Sequence, residues 1–270
     1  MSHQVHSLHI YPIKSCRGID LERAELVDTG FRWDRHWMLV DDEGQFLSQR
    51  RLPQMATIGT ELTDQSLIAR HGERAIEIPL HSPDVDRIPV RIWNDLLPGS
   101  IVSEEIDRWF SEVLETDCHL VYLPESVPRQ VDRDYAEEGK TVGFADGFPL
   151  LVVGLENLDP LNRRLEQPVG IERFRPNIVI AGGQPHEEDD WEAIRIGDID
   201  IDLPKPCSRC VIPSIDQHTA EQDSAILRAL AEYRRGEDGK VYFGQNGLHR
   251  ARGWIQVGQT VQPEKKAAAG

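Results

Sequence analysis

The chain has 270 residues, enough for one large or two ordinary domains, each able to bury a core without disulfide or metal staples. Thirty basic against 46 acidic side chains give a net charge of −16, which repels nucleic acid and anionic membrane surfaces at long range and argues against bulk nucleic-acid binding. Only four cysteines, a polar N-terminus without a secretory leader, and no apolar run near the roughly 20 residues needed to cross a bilayer predict a cytoplasmic protein that does not enter a membrane.

Val5 to Tyr11 alternates and stops at Pro12, which predicts a strand opening into the loop Pro12-Ile13-Lys14-Ser15-Cys16-Arg17-Gly18. The loop gathers Lys14, Ser15 and Arg17 beside a glycine that permits a tight backbone, a set that suits an anion as well as an ordinary solvated turn. A second strand over Leu21 to Val27 ends at Thr29-Gly30. Trp33 to Val40, the acidic turn Asp41-Asp42-Glu43-Gly44 and Gln45 to Gln49 read as a hairpin, with Arg35 at its mouth and Arg50-Arg51 after its far strand. Short runs at 56–62, 66–70, 75–78 and 88–93 read as strands. Over Glu104 to Leu114 the spacing of Ile106, Trp109, Phe110, Val113 and Leu114 predicts an amphipathic helix, and Cys118 to Tyr122 returns to strand. Residues 1–122 therefore predict a β-barrel-like or strongly bent sheet domain.

Residues 123–142 are polar and aperiodic and mark a domain boundary or a flap. Leu150 to Leu155 predicts a buried strand and Glu156 to Leu165 a helix. Arg173 and Arg175 immediately precede the apolar strand Ile178 to Ala181, where guanidinium groups either cap carboxylates and carbonyls or fork onto a phosphate. The alternating run Ile199 to Leu203 delivers the chain into Pro204-Lys205-Pro206-Cys207-Ser208-Arg209-Cys210. A helix over Asp223 to Arg235 and strands at 241–246 and 254–261 complete a second domain, 123–262, and residues 263–270 predict a disordered tail.

Cys207 and Cys210 lie in a proline-rich stretch that a regular helix cannot occupy. A thioredoxin-type pair opens a helix, and Val211-Ile212-Pro213 offers none. Structural zinc needs about four ligands, and no second close pair exists, so His218 and the lone Cys16 and Cys118 would have to assemble with this one. A disulfide is disfavoured in a reduced compartment. Two readings stay open from the residues: one thiolate ligating a soft metal beside a packed neighbour, or two inert thiols.

Tyr11-Pro12-Ile13-Lys14-Ser15-Cys16, Asp34-Arg35, Phe144-Ala145-Asp146, Arg173-Phe174-Arg175-Pro176-Asn177, Glu188-Asp189-Asp190-Trp191, Cys207-Ser208-Arg209-Cys210 and Phe243-Gly244-Gln245-Asn246 occur in this order. Together they resemble the molybdenum cofactor sulfurase C-terminal (MOSC) family, in the branch of the mitochondrial amidoxime-reducing component and its bacterial relatives. The resemblance spans nearly the whole chain. It implies an α+β, mostly β protein: an N-terminal MOSC β-barrel domain, 1–122, and a MOSC domain, 123–262, built on a bent barrel with a few helices. It implies a molybdenum-molybdopterin cofactor, with Cys210 the thiolate on molybdenum and Lys14, Ser15, Arg35, Arg175, Ser208 and Asn246 holding the pterin. Arg173 and Arg209 are left as ion-pair or supporting residues, Cys207 as a packed neighbour, and Asp216 as a turn cap. Any contact from Gly147-Phe148 would be main-chain. The implied activity is reduction of small N-hydroxylated compounds, hydroxylamino-purines and amidoximes, at the expense of a separate ferredoxin or flavoprotein, since no ferredoxin-like cysteine cluster follows the last strand. The alternative is a carrier of the cofactor, or of sulfur on a cysteine, without turnover.

Overall fold

The computed structural model describes residues 2–81 and 86–267. Its largest sheet closes on itself. The strand His3–Ile10 pairs with Ile178–Ala181 on one side and with Thr260–Lys265 on the other, and Leu150–Gly154, Tyr242–His249, Ile199–Ser208 and Trp191–Ile196 complete a closed seven-stranded barrel. Every neighbouring pair is antiparallel except Leu150–Gly154 with Ile178–Ala181. The alternation in these segments turns Val5, Leu8, Val152, Ile178, Ile180, Ile194, Ile201 and Leu203 into one core, each under 3% exposed. Burial of side chains of this size is worth about 1.5–3 kcal/mol each, so a barrel built from them holds its strands in one register.

Ile19–Leu21 adds to the edge of His3–Ile10, Arg23–Val27 and Gly30–Phe31 join Gly253–Gln256 in a small sheet, and the later N-terminal strands form a half-barrel from two sheets, one of Trp37–Val40, His119–Tyr122, Asp95–Ile101 and Arg87–Ile92, the other of Gly59–Leu62, Ser66–His71 and Arg74–Pro79. The helix Glu104–Leu114 has the bounds its periodicity predicts. Ser103 caps it, its Oγ accepting the Ile106 N–H, and Glu115 closes it in a left-handed conformation. Ile106, Trp109, Phe110 and Leu114 pack beneath it with Trp37, Leu39, Leu67 and Ile78.

Four features go beyond or depart from the reading in chain order. First, His3–Ile10, from the segment expected as the N-terminal domain, is hydrogen-bonded on both sides to strands from beyond residue 149. Second, the tail expected to be disordered from 263 is paired through Lys265 with Trp191–Ile196, and the Lys266 N–H donates to the Asp190 carbonyl; residues 268–270 lie outside the described residues. Third, the helix read over 156–165 shrinks to Leu158–Asn162 after a 3-10 turn, consistent with Pro160 inside it, and the run at 56–62 divides into a 3-10 turn, Pro53–Thr57, and a strand, Gly59–Leu62. Fourth, Asp95–Ile101 is a strand that the sequence pattern hides, because Pro98 and Gly99 interrupt it; Pro98 lies opposite Pro89 of its partner strand.

Candidate active site

Lys14, Ser15, Arg35, Arg175, Ser208, Cys210 and Asn246 line one cleft between the half-barrel and the barrel, although they span 232 positions of sequence from Lys14 to Asn246. The cleft itself holds about 140 Å³ and opens directly to solvent. Gln49, Arg50, Asp146, Gly147, Phe148 and Arg209 also reach it.

The floor is built around Tyr11. Its ring lies 4.2 Å from both the Arg35 and the Arg175 guanidinium carbons, and its hydroxyl donates to the Pro176 carbonyl at 3.0 Å. Gly18 makes room for this ring: a Cβ there would stand 2.5 Å from the tyrosine edge. Arg35 is anchored by Asp34 Oδ2 at 2.6 Å, by Asn177 Oδ1 and by the Arg175 carbonyl. Asp34 is only 5% exposed and accepts the Tyr11 N–H through its other oxygen at 2.8 Å. Arg175 is 8% exposed, and its Nη1 donates to the amide oxygen of buried Gln217. Among the described residues no carboxylate pairs with Arg175. Burial and the neighbouring Arg35 charge pull its pKa down to about 10, so it remains a cation at neutral pH. Burial likewise drives the Tyr11 hydroxyl well above its ordinary value.

Ser15, Arg35 and Arg175 all adopt the left-handed backbone region, at φ 70°, 45° and 54°. Non-glycine residues enter this region at a cost of about 1–3 kcal/mol and persist where surroundings over-determine them. Gln49 supplies part of that constraint, its Nε2 donating to the Ser15 carbonyl at 2.7 Å and to Gln217 Oε1 at 3.2 Å.

The rim is a carboxylate hub. Asp146 accepts from Lys14 Nζ at 2.6 Å, from the Trp93 indole at 3.2 Å and from Arg50 at 3.3 Å. Burial pushes this carboxyl up, but the Lys14 and Arg50 charges outweigh it and leave the pKa well below the carboxylate range. Burial lowers the Lys14 pKa, with Asp146 opposing it. Arg129, 6% exposed, fixes the loop that carries Asp146 by donating to the Gly143, Ala145 and Asp146 carbonyls while paired with Asp95.

The strand Ile199–Ser208 runs through Pro204 and Pro206 with register slips against Tyr242–His249, and so delivers the two thiols to the cleft. They sit in different surroundings. Cys210 Sγ accepts from Arg50 Nη2 at 3.2 Å, whereas Cys207 Sγ accepts from Arg209 Nη1 at 3.1 Å and packs against the cluster of Leu151, Phe174 and Phe243. Cys16 and Cys118 lie in the half-barrel core, where burial pushes their thiols up to about 12 and about 11, which excludes them as ready ligands.

Of the remaining basic residues in these clusters, Arg17 departs from expectation, whereas Arg173 has the ion-pair role expected of it. Arg17 leaves the anion set and donates to the Gln217 carbonyl. Arg173 forms an ion pair with Asp216 at 2.6 Å, and Asp216 also caps its own turn by accepting the His218 and Thr219 N–H groups. Arg209 lines the cleft, bound to Cys207 and the Phe174 carbonyl, with no carboxylate pair among the described residues. Gln49, Gln217, Asp146 and Tyr11 carry the architecture of the site, and residue type alone does not announce them.

Chemically, the cleft combines two half-buried thiols, Cys207 and Cys210, with a floor of two guanidinium groups of which only Arg35 is paired with a carboxylate among the described residues. That donor set fits a metal held partly by sulfur on an anionic organic cofactor. Among the described residues no helix is long and apolar enough to cross a membrane.

Residues 2–117 match the family model described as the MOSC N-terminal beta barrel domain, and residues 139–262 match the MOSC domain. The mouse mitochondrial amidoxime-reducing component 1 is 30% identical over 275 residues, covering 95% of this chain and 81% of its own. The rat mitochondrial amidoxime reducing component 2 is 31% identical, covering 85% and 72%. The molybdenum cofactor sulfurase of Arabidopsis thaliana is 29% identical over 97% of this chain, which spans about a third of that relative, 35%. With both domain models matched in order on a seven-stranded barrel and its half-barrel, the chain belongs to the MOSC family, as an N-terminal MOSC β-barrel domain followed by a MOSC domain.

Proposed function

We propose that this chain is a molybdenum-cofactor-dependent reductase of N-hydroxylated compounds, converting hydroxylamino-purines or amidoximes to the amine or amidine. In the net reaction the N–O bond breaks, and two electrons and two protons from outside the site yield the N–H product and water. The electrons come from a separate ferredoxin or flavoprotein. The observation that carries this reading is the convergence of the Cys210 thiol with a buried, under-compensated two-arginine floor in one cleft.

Molybdenum-molybdopterin supplies the two-electron redox chemistry when bound. The chain's own residues bind and orient it. Cys210 offers the protein sulfur ligand. Arg35 and Arg175, held over the Tyr11 ring, offer fixed positive charge to an anionic group, and Lys14, whose charged form Asp146 favours, adds a third cation. Ser15, Ser208 and Asn246 offer polar contacts. Arg50 donates to the Cys210 sulfur and limits its freedom.

Similarity to plant molybdenum cofactor sulfurases over nearly all of this chain favours a second reading, in which the cleft holds the cofactor or a cysteine-bound sulfur for delivery without turnover. One set of measurements separates the two. Protein made in a cofactor-competent host is assayed for molybdenum per chain and for reduction of an N-hydroxylated base with a ferredoxin or flavoprotein donor. Cofactor-loaded wild type that fails to reduce the base with either donor supports the carrier. Cys210→Ala is expected to lose at least 90% of the activity, and equal N-reduction by the two proteins would falsify the assignment. Cys207→Ala is expected to retain most of its molybdenum; complete loss there moves the ligand to Cys207.

A further inference from the structure

Among the described residues, carboxylates answer the cations of the cleft with two exceptions. Asp146 pairs with Lys14 and Arg50, and Asp34 pairs with Arg35. Arg209, the first exception, is engaged by the Cys207 sulfur and the Phe174 carbonyl. Arg175 is the second, and the acceptor its guanidinium finds is an amide, Gln217 Oε1 at 3.2 Å. Asp216, the residue before Gln217, shows that the same turn can present a carboxylate. It does so to Arg173, which does not line the cleft, at 2.6 Å. Consecutive side chains of one loop thus give a charged partner to the arginine outside the cleft and a neutral one to the arginine inside it.

The amide is held firmly. Gln217 is 4% exposed and Gln49 is fully buried. Gln217 Oε1 also accepts Gln49 Nε2 at 3.2 Å, and its own Nε2 donates to the Ile215 carbonyl at 3.1 Å. Both Nε and Nη2 of Arg17 donate to the Gln217 backbone carbonyl, and Gln49 Nε2 reaches on to the Ser15 carbonyl at 2.7 Å. A neutral acceptor fixes the direction of a guanidinium without cancelling its charge, whereas a carboxylate at the same distance does both.

We infer that Gln217, braced by Gln49, is a positioning residue that fixes Arg175 at the cleft while leaving its charge available to an anionic ligand. The inference rests on the floor taking the anionic part of a cofactor, which the reductase and carrier readings share, and it adds the side chain that sets the strength of that site.

The test is binding of inorganic sulfate to the full-length chain without cofactor, by isothermal titration at constant ionic strength, with Arg175→Met as the control that removes the site. Gln217→Glu, which puts a carboxylate on Arg175 at unchanged side-chain length, is expected to raise the sulfate Kd about a hundredfold, equivalent to about 2.7 kcal/mol. Gln217→Met, which removes the amide and adds no charge, is expected to raise it only about threefold. In a cofactor-competent host, molybdenum per chain should follow the same order, wild type above Gln217→Met above Gln217→Glu. Equal losses in the two variants make the amide a packing residue and overturn the inference, as does wild-type affinity in Gln217→Glu. A Gln217→Glu chain that does not fold also overturns it, because the fold itself then requires the amide. So does sulfate that binds Arg175→Met as tightly as wild type. The expected sulfate pattern in a chain that holds the cofactor yet reduces no N-hydroxylated base overturns the reductase reading alone and leaves Gln217 in this role.

Discussion

The floor and the rim of the cleft both gather cations, and they handle charge in opposite ways. At the rim, Asp146 answers Lys14 and Arg50 at hydrogen-bonding distance, so the charges there largely satisfy one another. On the floor, Asp34 pairs with Arg35 while Arg175 has no carboxylate partner among the described residues, and both guanidinium groups lie over one phenol ring inside the protein. A buried charge without a partner is unfavourable unless something else supplies the counter-charge. The rim is thus self-contained, whereas the floor leaves the Arg175 charge without a carboxylate among the described residues, and three left-handed residues hold the site in shape. Preorganisation of this kind spares a ligand the cost of ordering its own site.

The strongest way to break that contrast is to remove the floor's one carboxylate. Asp34→Ala strands the Arg35 charge and leaves the Tyr11 N–H without its acceptor. The expected loss is about 3–5 kcal/mol of unfolding free energy, read from urea denaturation. A loss under about 1 kcal/mol would mean that the floor is solvated and not a buried charge site. Arg175→Met tests the other side of the comparison. It deletes a buried cation that no carboxylate balances, so the apo protein should be no less stable than wild type, while molybdenum per chain falls at least tenfold. An apo protein destabilised by several kcal/mol would instead make Arg175 a structural residue.

Legibility from sequence follows the range of the forces involved. The helix Glu104–Leu114 and the strand Ile178–Ala181 were readable because each buries a stripe set by local periodicity. The strand Asp95–Ile101 was not, because Pro98 and Gly99 erase the pattern and only its partner strands rescue it. In the site, the residues now lining the cleft were nameable from short motifs, yet the motifs did not say which cations point inward. Arg17 and Arg173 belong to the same basic clusters as Lys14 and Arg175 and turn elsewhere, toward the Gln217 carbonyl and Asp216. The Gln49–Gln217 contact joins residues 168 apart in sequence, and neither amide carries a local signal of that role. Asp146 was part of a recognised motif but gained its meaning only when three donors from other segments met on it.

The smallest expected effect is at the rim and shows itself in pH. Asp146→Asn keeps the shape and removes the charge. Its side chain is 58% exposed, so the lost ion pairs are screened and the stability cost should be about 1 kcal/mol or less. The consequence for Lys14 is larger than that figure suggests. Burial already lowers the Lys14 pKa, and Asp146 is the group that opposes it. A base with a lowered pKa is charged below that value and neutral above it, so without Asp146 the Lys14 charge disappears at a lower pH than in wild type. The Arg175 proton is held until about pH 10 in either protein. Cofactor retention should therefore begin to fall at a lower pH in Asp146→Asn than in wild type, measured as molybdenum remaining after dialysis. Identical profiles in the two proteins would show that Lys14 contributes nothing to anion binding and that the floor arginines act alone.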